Sequence, residues 1–94
     1  SSNERVAQAI LPENQTISSS FRYGGAPSVV WYSHKRVHYY YNYDKFMADI
    51  NDVKNIEYLI VTVGDLDKVS PDFKQITSSG SYVGFMRETT YAQR

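Results

Sequence analysis

Chemistry in this chain would have to come from three places: the glycine-flanked Arg22-Tyr23-Gly24-Gly25, the carboxylates Asp65 and Asp67, and the histidines of His34-Lys35-Arg36-Val37-His38. Gly24 and Gly25 would let backbone amides approach an anion where a helix begins. The pair is neither a complete Gly-x-Gly-x-x-Gly fingerprint nor a phosphate loop, which needs a lysine followed by serine or threonine. Asp65 and Asp67 could act together, yet nothing supplies a complementary nucleophile or metal ligands, so they read first as solvation of a loop. His34 and His38, spaced i, i+4, would share a metal only on one helix, and no carboxylate stands between them at zincin spacing. Their stretch reads instead as a helix end passing into a strand, where basic residues suit the helix C-terminus. No metal and no cofactor are expected.

Basic residues followed by Tyr39-Tyr40-Tyr41 have the types of a platform for single-stranded nucleic acid. Consecutive strand residues alternate faces, however, so at most two of these rings share a surface. Ten basic and ten acidic residues cancel, which argues against a partner held by bulk charge, and no nucleic acid is expected. Asn14-Gln15-Thr16 is an N-glycosylation sequon, a triplet common by chance. No nucleophile, base and oxyanion donor can be assembled, so the expected catalytic set is empty.

Whatever site exists must be positioned by the run Ile56-Glu57-Tyr58-Leu59-Ile60-Val61-Thr62-Val63, the longest apolar and β-branched stretch. Bounded by Asn51-Asp52 and Gly64-Asp65, it predicts a mid-sheet strand buried on both faces, with helices above and below. The 94 residues suit one small domain, residues 1–94, and 41% hydrophobic content supports a globular core. Cysteine is absent, which removes disulfides and thiolate metal sites. Nine tyrosines suit half-buried strand positions, where the hydroxyl can face water or a ligand. No stretch is long and apolar enough to span a bilayer. The chain opens Ser1-Ser2-Asn3 without a methionine, as expected of a tagged product or a piece cut from a longer protein.

In chain order, Asn3 caps a first helix with an apolar stripe of Val6, Ala7, Ile10 and Leu11, which Pro12 ends. Residues 16–21 form a first strand. Arg22 to Gly25 turn the chain, and Pro27 opens a short helix that ends near His34. Residues 37–41 form a second strand. Asp44 caps one helix over residues 45–52, with Phe46, Met47 and Ile50 inward. After the central strand comes a polar loop. Ser70-Pro71 then opens a last helix, with Phe73 and Ile76 inward and Gly80 as its stop. Residues 82–86 close the sheet, and residues 89–94 fray.

The alternation predicts an α/β fold: a small three-layer Rossmann-like sheet of about four strands, order 2-1-3-4, with helices on both faces. The first three strands are expected parallel and the last antiparallel. Ligands of such sheets sit beyond the strand carboxyl ends. That places Arg22, Tyr23, Gly24 and Gly25 opposite Gly64, Asp65 and Asp67, as candidate ligand-binding residues.

Three segments also share a pattern. They are Pro12-Glu13-Asn14-Gln15-Thr16-Ile17, Trp31-Tyr32-Ser33-His34-Lys35-Arg36-Val37 and Asn55-Ile56-Glu57-Tyr58-Leu59-Ile60-Val61. Together they resemble the soluble C-terminal domain after the last membrane span of polytopic, dolichyl-phosphate-mannose-type (GT-C class) glycosyltransferases of prokaryotes. Members often carry glycine just before the basic residue that follows the aromatic pair, where this chain has His34-Lys35-Arg36. The resemblance implies an extracytoplasmic, membrane-tethered accessory domain whose partner is the membrane-embedded remainder of its parent. It would cover the membrane active site or engage the acceptor, a glycan or lipid-linked sugar. In that family the catalytic acidic residues lie in loops of the membrane part, so none is carried onto this sequence. The rival reading is a free-standing small α/β ligand-binding or protein-interaction module.

Overall fold

A computed structural model of the chain describes residues 16–19 and 36–93. Strand β1 is Thr16–Ser19 and β2 is Arg36–Tyr39, followed by helices α1 (Tyr43–Met47) and α2 (Ile50–Asn55). Strand β3 is Tyr58–Thr62 and leads into a 3-10 helix, Val63–Lys68. Strands β4 (Phe73–Ser79) and β5 (Tyr82–Arg87) and helix α3 (Glu88–Ala92) complete the described elements.

The Rossmann-like expectation is overturned. The body of the sheet is antiparallel, a β4–β5 hairpin whose second strand docks on β3 from Tyr58↔Met86 to Thr62↔Tyr82. The four-residue strands β1 and β2 extend the other edge of β3, with β1 pairing parallel to both, and the mixed sheet runs β2-β1-β3-β5-β4. A doubly wound sheet needs a crossover helix after each parallel strand. After β3 this chain has a 3-10 turn and a hairpin instead.

The expected helix over residues 70–80 is therefore β4. Its start does bend as read, with the Asp72 amide donating to Ser70 Oγ at 3.1 Å and the Phe73 amide to the Ser70 carbonyl at 3.1 Å. That bend is a turn and no helix comes after it. Ile76-Thr77-Ser78-Ser79 are β-branched or backbone-competing residues and poor helix formers. Gly80-Ser81 then forms a two-residue hairpin loop closed by Ser79↔Tyr82, with Gly80 at φ 57°, a left-handed conformation that favours glycine. A bulge between Gln75 and Thr77 re-aims the outer strand.

The single helix expected over residues 45–52 is two. Asn42 caps α1 by accepting from the Lys45 amide at 2.9 Å, and Asp49 caps α2 by accepting from the Asp52 amide at 3.1 Å. Asp49 leaves helical geometry at φ −92°, ψ 88°, as a capping residue does. The break turns Met47 and Ile50 outward, 45% and 65% exposed, while Phe46 stays fully buried. The expected fraying after Thr89 is likewise corrected. Residues 88–92 form α3, whose Tyr91 ring lies 4.6 Å beneath Lys74 Nζ.

β3 is buried along nearly its whole length. The register puts Leu59 with Phe85 and Val61 with Val83 on one face, packed against Tyr43, Phe46, Ile56 and Phe73. Tyr58, Ile60 and Met86 are buried on the other. Arg87 ties the sheet to α2. Its Nε donates to the Ile56 carbonyl at 2.7 Å and its Nη2 to the Val53 carbonyl at 2.8 Å.

Candidate functional site

Alternation along β2 sends His38 and the following Tyr40 to the same side of the chain, and both reach the first turn of α2. His38 Nδ1 lies 2.6 Å from Asp52 Oδ2. The Tyr40 hydroxyl donates to Asp49 Oδ2 at 2.8 Å and also to Asp52 Oδ2. Asp52 is the buried charged residue here, with its side chain 8% exposed against 44% for His38. Asp49 uses its other oxygen to cap the Asp52 amide, so one residue holds both the helix start and the cluster. The Tyr40 ring meets Phe46 edge-on, centroids 5.4 Å apart, which anchors the cluster to the core.

The arrangement is a buried carboxylate with donors converging on it. An ionised carboxylate only accepts, so in this contact His38 Nδ1 donates its proton to Asp52. Burial first, then the hydrogen bonds to Asp52 and Asp49, then their charges, push the Tyr40 phenol far above its ordinary range. Tyr39 is pushed up to about 12 by burial. Tyr43 is raised by burial above all and also by the charge of Asp65, against a lowering by the Ser70 backbone. Its buried hydroxyl has no hydrogen-bond partner of full geometry among the described residues.

The alkaline limit is expected to follow from these tyrosines. A folded-state pKa above the unfolded value near ~10 contributes stability in full below that pH and loses it as pH climbs through the folded values. Unfolding is expected to set in above pH ~10, with the chain stable to alkali below it. Tyrosinate absorbance followed alongside far-UV circular dichroism checks this. Tyr40→Phe should flatten the alkaline slope, and an unchanged slope would exclude Tyr40 as its cause.

The carboxylates singled out from sequence lie elsewhere. Asp65 and Asp67 sit on the 3-10 helix after β3, where Asp65 is 3.4 Å from Lys68 Nζ and Asp67 is exposed. Arg22, Tyr23, Gly24 and Gly25 lie outside the described residues, as do His34 and the helices expected before residue 35. Among the described residues no group of three His, Cys, Asp or Glu is arranged to hold a metal ion. Ser19 pairs with both Tyr39 and Ile60, so the chain leaves β2 and β3 at the same end of the sheet. Exposed Tyr39 and Tyr41 stand where the chain leaves β2 there, and exposed Val63 and Leu66, with Asp65 and Asp67, where it leaves β3.

From the sequence His38 reads as a metal ligand or part of a basic helix end and Tyr40 as one ring of a stacking platform; neither is paired there with Asp49 or Asp52. A signal was present: Asp49-x-x-Asp52 has the spacing of a cap and its third helical residue, and His38-x-Tyr40 has strand periodicity. No helix among the described residues is long and apolar enough to cross a membrane. No protein-family model, curated protein or solved structure matches the chain.

Proposed function

We propose that this chain is a non-catalytic binding module, serving as the extracytoplasmic, membrane-tethered accessory domain of a membrane-embedded glycosyltransferase. Its ligand is a glycan or lipid-linked sugar, engaged at the end of the sheet where β2 and β3 finish. The observation that carries the binding role is Tyr41, 67% exposed, beside Tyr39, 40% exposed, at an end that also holds Asp65 and Asp67. Aromatic faces with polar tips suit the C–H faces of sugar rings, and carboxylates accept their hydroxyls. The glycosyltransferase parent rests on the resemblance of the three segments spanning residues 12–17, 31–37 and 55–61.

The test is made on the full-length product of the parent gene. The product should be recovered in membranes, with this segment open to protease from outside the cytoplasm. Replacing Tyr39 and Tyr41 together by alanine should lower transfer at least several-fold while membrane recovery is unchanged. A soluble cytoplasmic product little longer than this chain would overturn the glycosyltransferase reading. Exposed Met47 and Ile50 would then favour a free-standing interaction module.

A further inference from the structure

We infer that Tyr39 and Tyr41 form a two-ring platform for an uncharged oligosaccharide of at least two sugar residues, with Tyr40 as the positioning residue between them. The inference rests on the binding role proposed above and names, of its two kinds of ligand, the glycan. Tyr40 is held by its hydroxyl on Asp49 at 2.8 Å and on Asp52, and by its ring edge-on to Phe46. Alternation puts the two flanking tyrosines on the side away from that anchor. Their rings stay open, 40% exposed at Tyr39 and 67% at Tyr41. A residue fixed between two exposed rings sets their spacing before any ligand arrives, so less freedom is lost on binding. Two residues of extended chain separate the Cα atoms of the pair by about 6.6 Å. One pyranose covers one such face, and the next sugar of a chain reaches the second. That second contact is intramolecular and strengthens binding without a further loss of translational freedom. Charge selects against phosphate. His38 turns to the other side, onto Asp52, and Lys68 lies 3.4 Å from Asp65, so both of these cations are committed to carboxylates. Exposed Asp67, where the chain leaves β3 at the same end of the sheet, would repel an anion.

Aromatic-ring NMR of the 94-residue chain tests this, with methyl hexosides of gluco, galacto and manno form and their linear trisaccharides as probes. A trisaccharide should move the Tyr39 and Tyr41 ring signals together, with one common saturation. Its affinity should exceed that of the matching methyl hexoside at least tenfold, the equivalent of about 1.4 kcal/mol. Tyr41→Ala should bring trisaccharide affinity down to the methyl hexoside level. Tyr40→Phe keeps the ring against Phe46 and drops the anchoring hydroxyl. It should weaken the trisaccharide several-fold, leave the methyl hexoside unchanged and keep the β3–β5 amide pattern, a split that loss of folding would not give. Equal affinity for the two probes, or unchanged trisaccharide affinity in Tyr41→Ala, would overturn the inference and leave the binding module standing. So would a lipid-linked sugar that binds where every free saccharide fails. A single-stranded oligonucleotide that moves both rings while no sugar does would overturn both readings. A full panel, lipid-linked sugar included, that moves neither ring would do the same.

Discussion

Replacing Phe46 by alanine is expected to lower the free energy of unfolding by about 3–5 kcal/mol. The ring is fully buried and, among the described residues, is the largest side chain at that depth. It meets the Tyr43 ring at 5.5 Å between centroids and belongs to one buried cluster with Ile56, Leu59 and Phe85, joining α1 to the face of β3 and β5. Truncation loses the transfer free energy of the ring and leaves a cavity that two short capped helices, five and six residues long, are ill placed to fill. A domain of this length has roughly 5–14 kcal/mol in all, so the variant would keep a thin margin. Urea unfolding checks it through a lower midpoint at constant slope. A loss below about 1 kcal/mol would mean that Phe46 is not the keystone described. The edge contact to Tyr40 goes with the ring, so the His38–Asp52 geometry should loosen too.

Arg87→Ala is expected to cost about 1.5–3 kcal/mol, the range for hydrogen bonds made by a charged group. The guanidinium does three things from the end of β5. It binds the carbonyls of Val53 and Ile56, it brings positive charge to the C-terminus of α2, and it stacks 4.6 Å from the Phe73 ring centroid. Its loss leaves two part-buried carbonyls without this donor. Arg87→Lys should rescue little, because a single ammonium cannot reach both carbonyls in the geometry of a planar fork. Urea unfolding of the two variants separates charge from shape. Full rescue by lysine would assign the effect to charge alone. Arg87 pins the far end of the helix whose first turn carries Asp52, so the alanine variant should also broaden the His38 signals.

The sequence was most informative where a residue acts on its immediate neighbours. The β-branched run was read as a buried central strand, and Tyr58–Thr62 is one, because a short run of branched and apolar residues between turn residues suits a strand covered on both faces. A helix near residues 45–52 was also legible, but not its break, because Asp49 reads equally as a surface position or a cap. Phe73 and Ile76 sit three apart and fit a helix stripe. They also fit a strand once a bulge shifts the alternation, and only pairing with β5 decides between the two.

The candidate site divides the same way. Asp65 and Asp67 were found by type, but their surroundings, a 3-10 helix and the Lys68 ammonium, depend on how the chain turns after β3. His38 was found by type and judged against the wrong partner. Its carboxylate is 14 residues away in the chain, brought close by the turn at Asn42 and the cap at Asp49.

By itself the sequence determined composition-level facts and one local element: no thiol chemistry, balanced charge and the central strand. The tertiary structure alone decided that residues 73–79 are a strand, that the sheet's body is antiparallel, and that a buried Asp52 stands behind His38. The physical reason is range. Propensity and capping act over one turn or one residue pair, whereas strand partner, burial and carboxylate environment are settled by segments that meet only when the core closes.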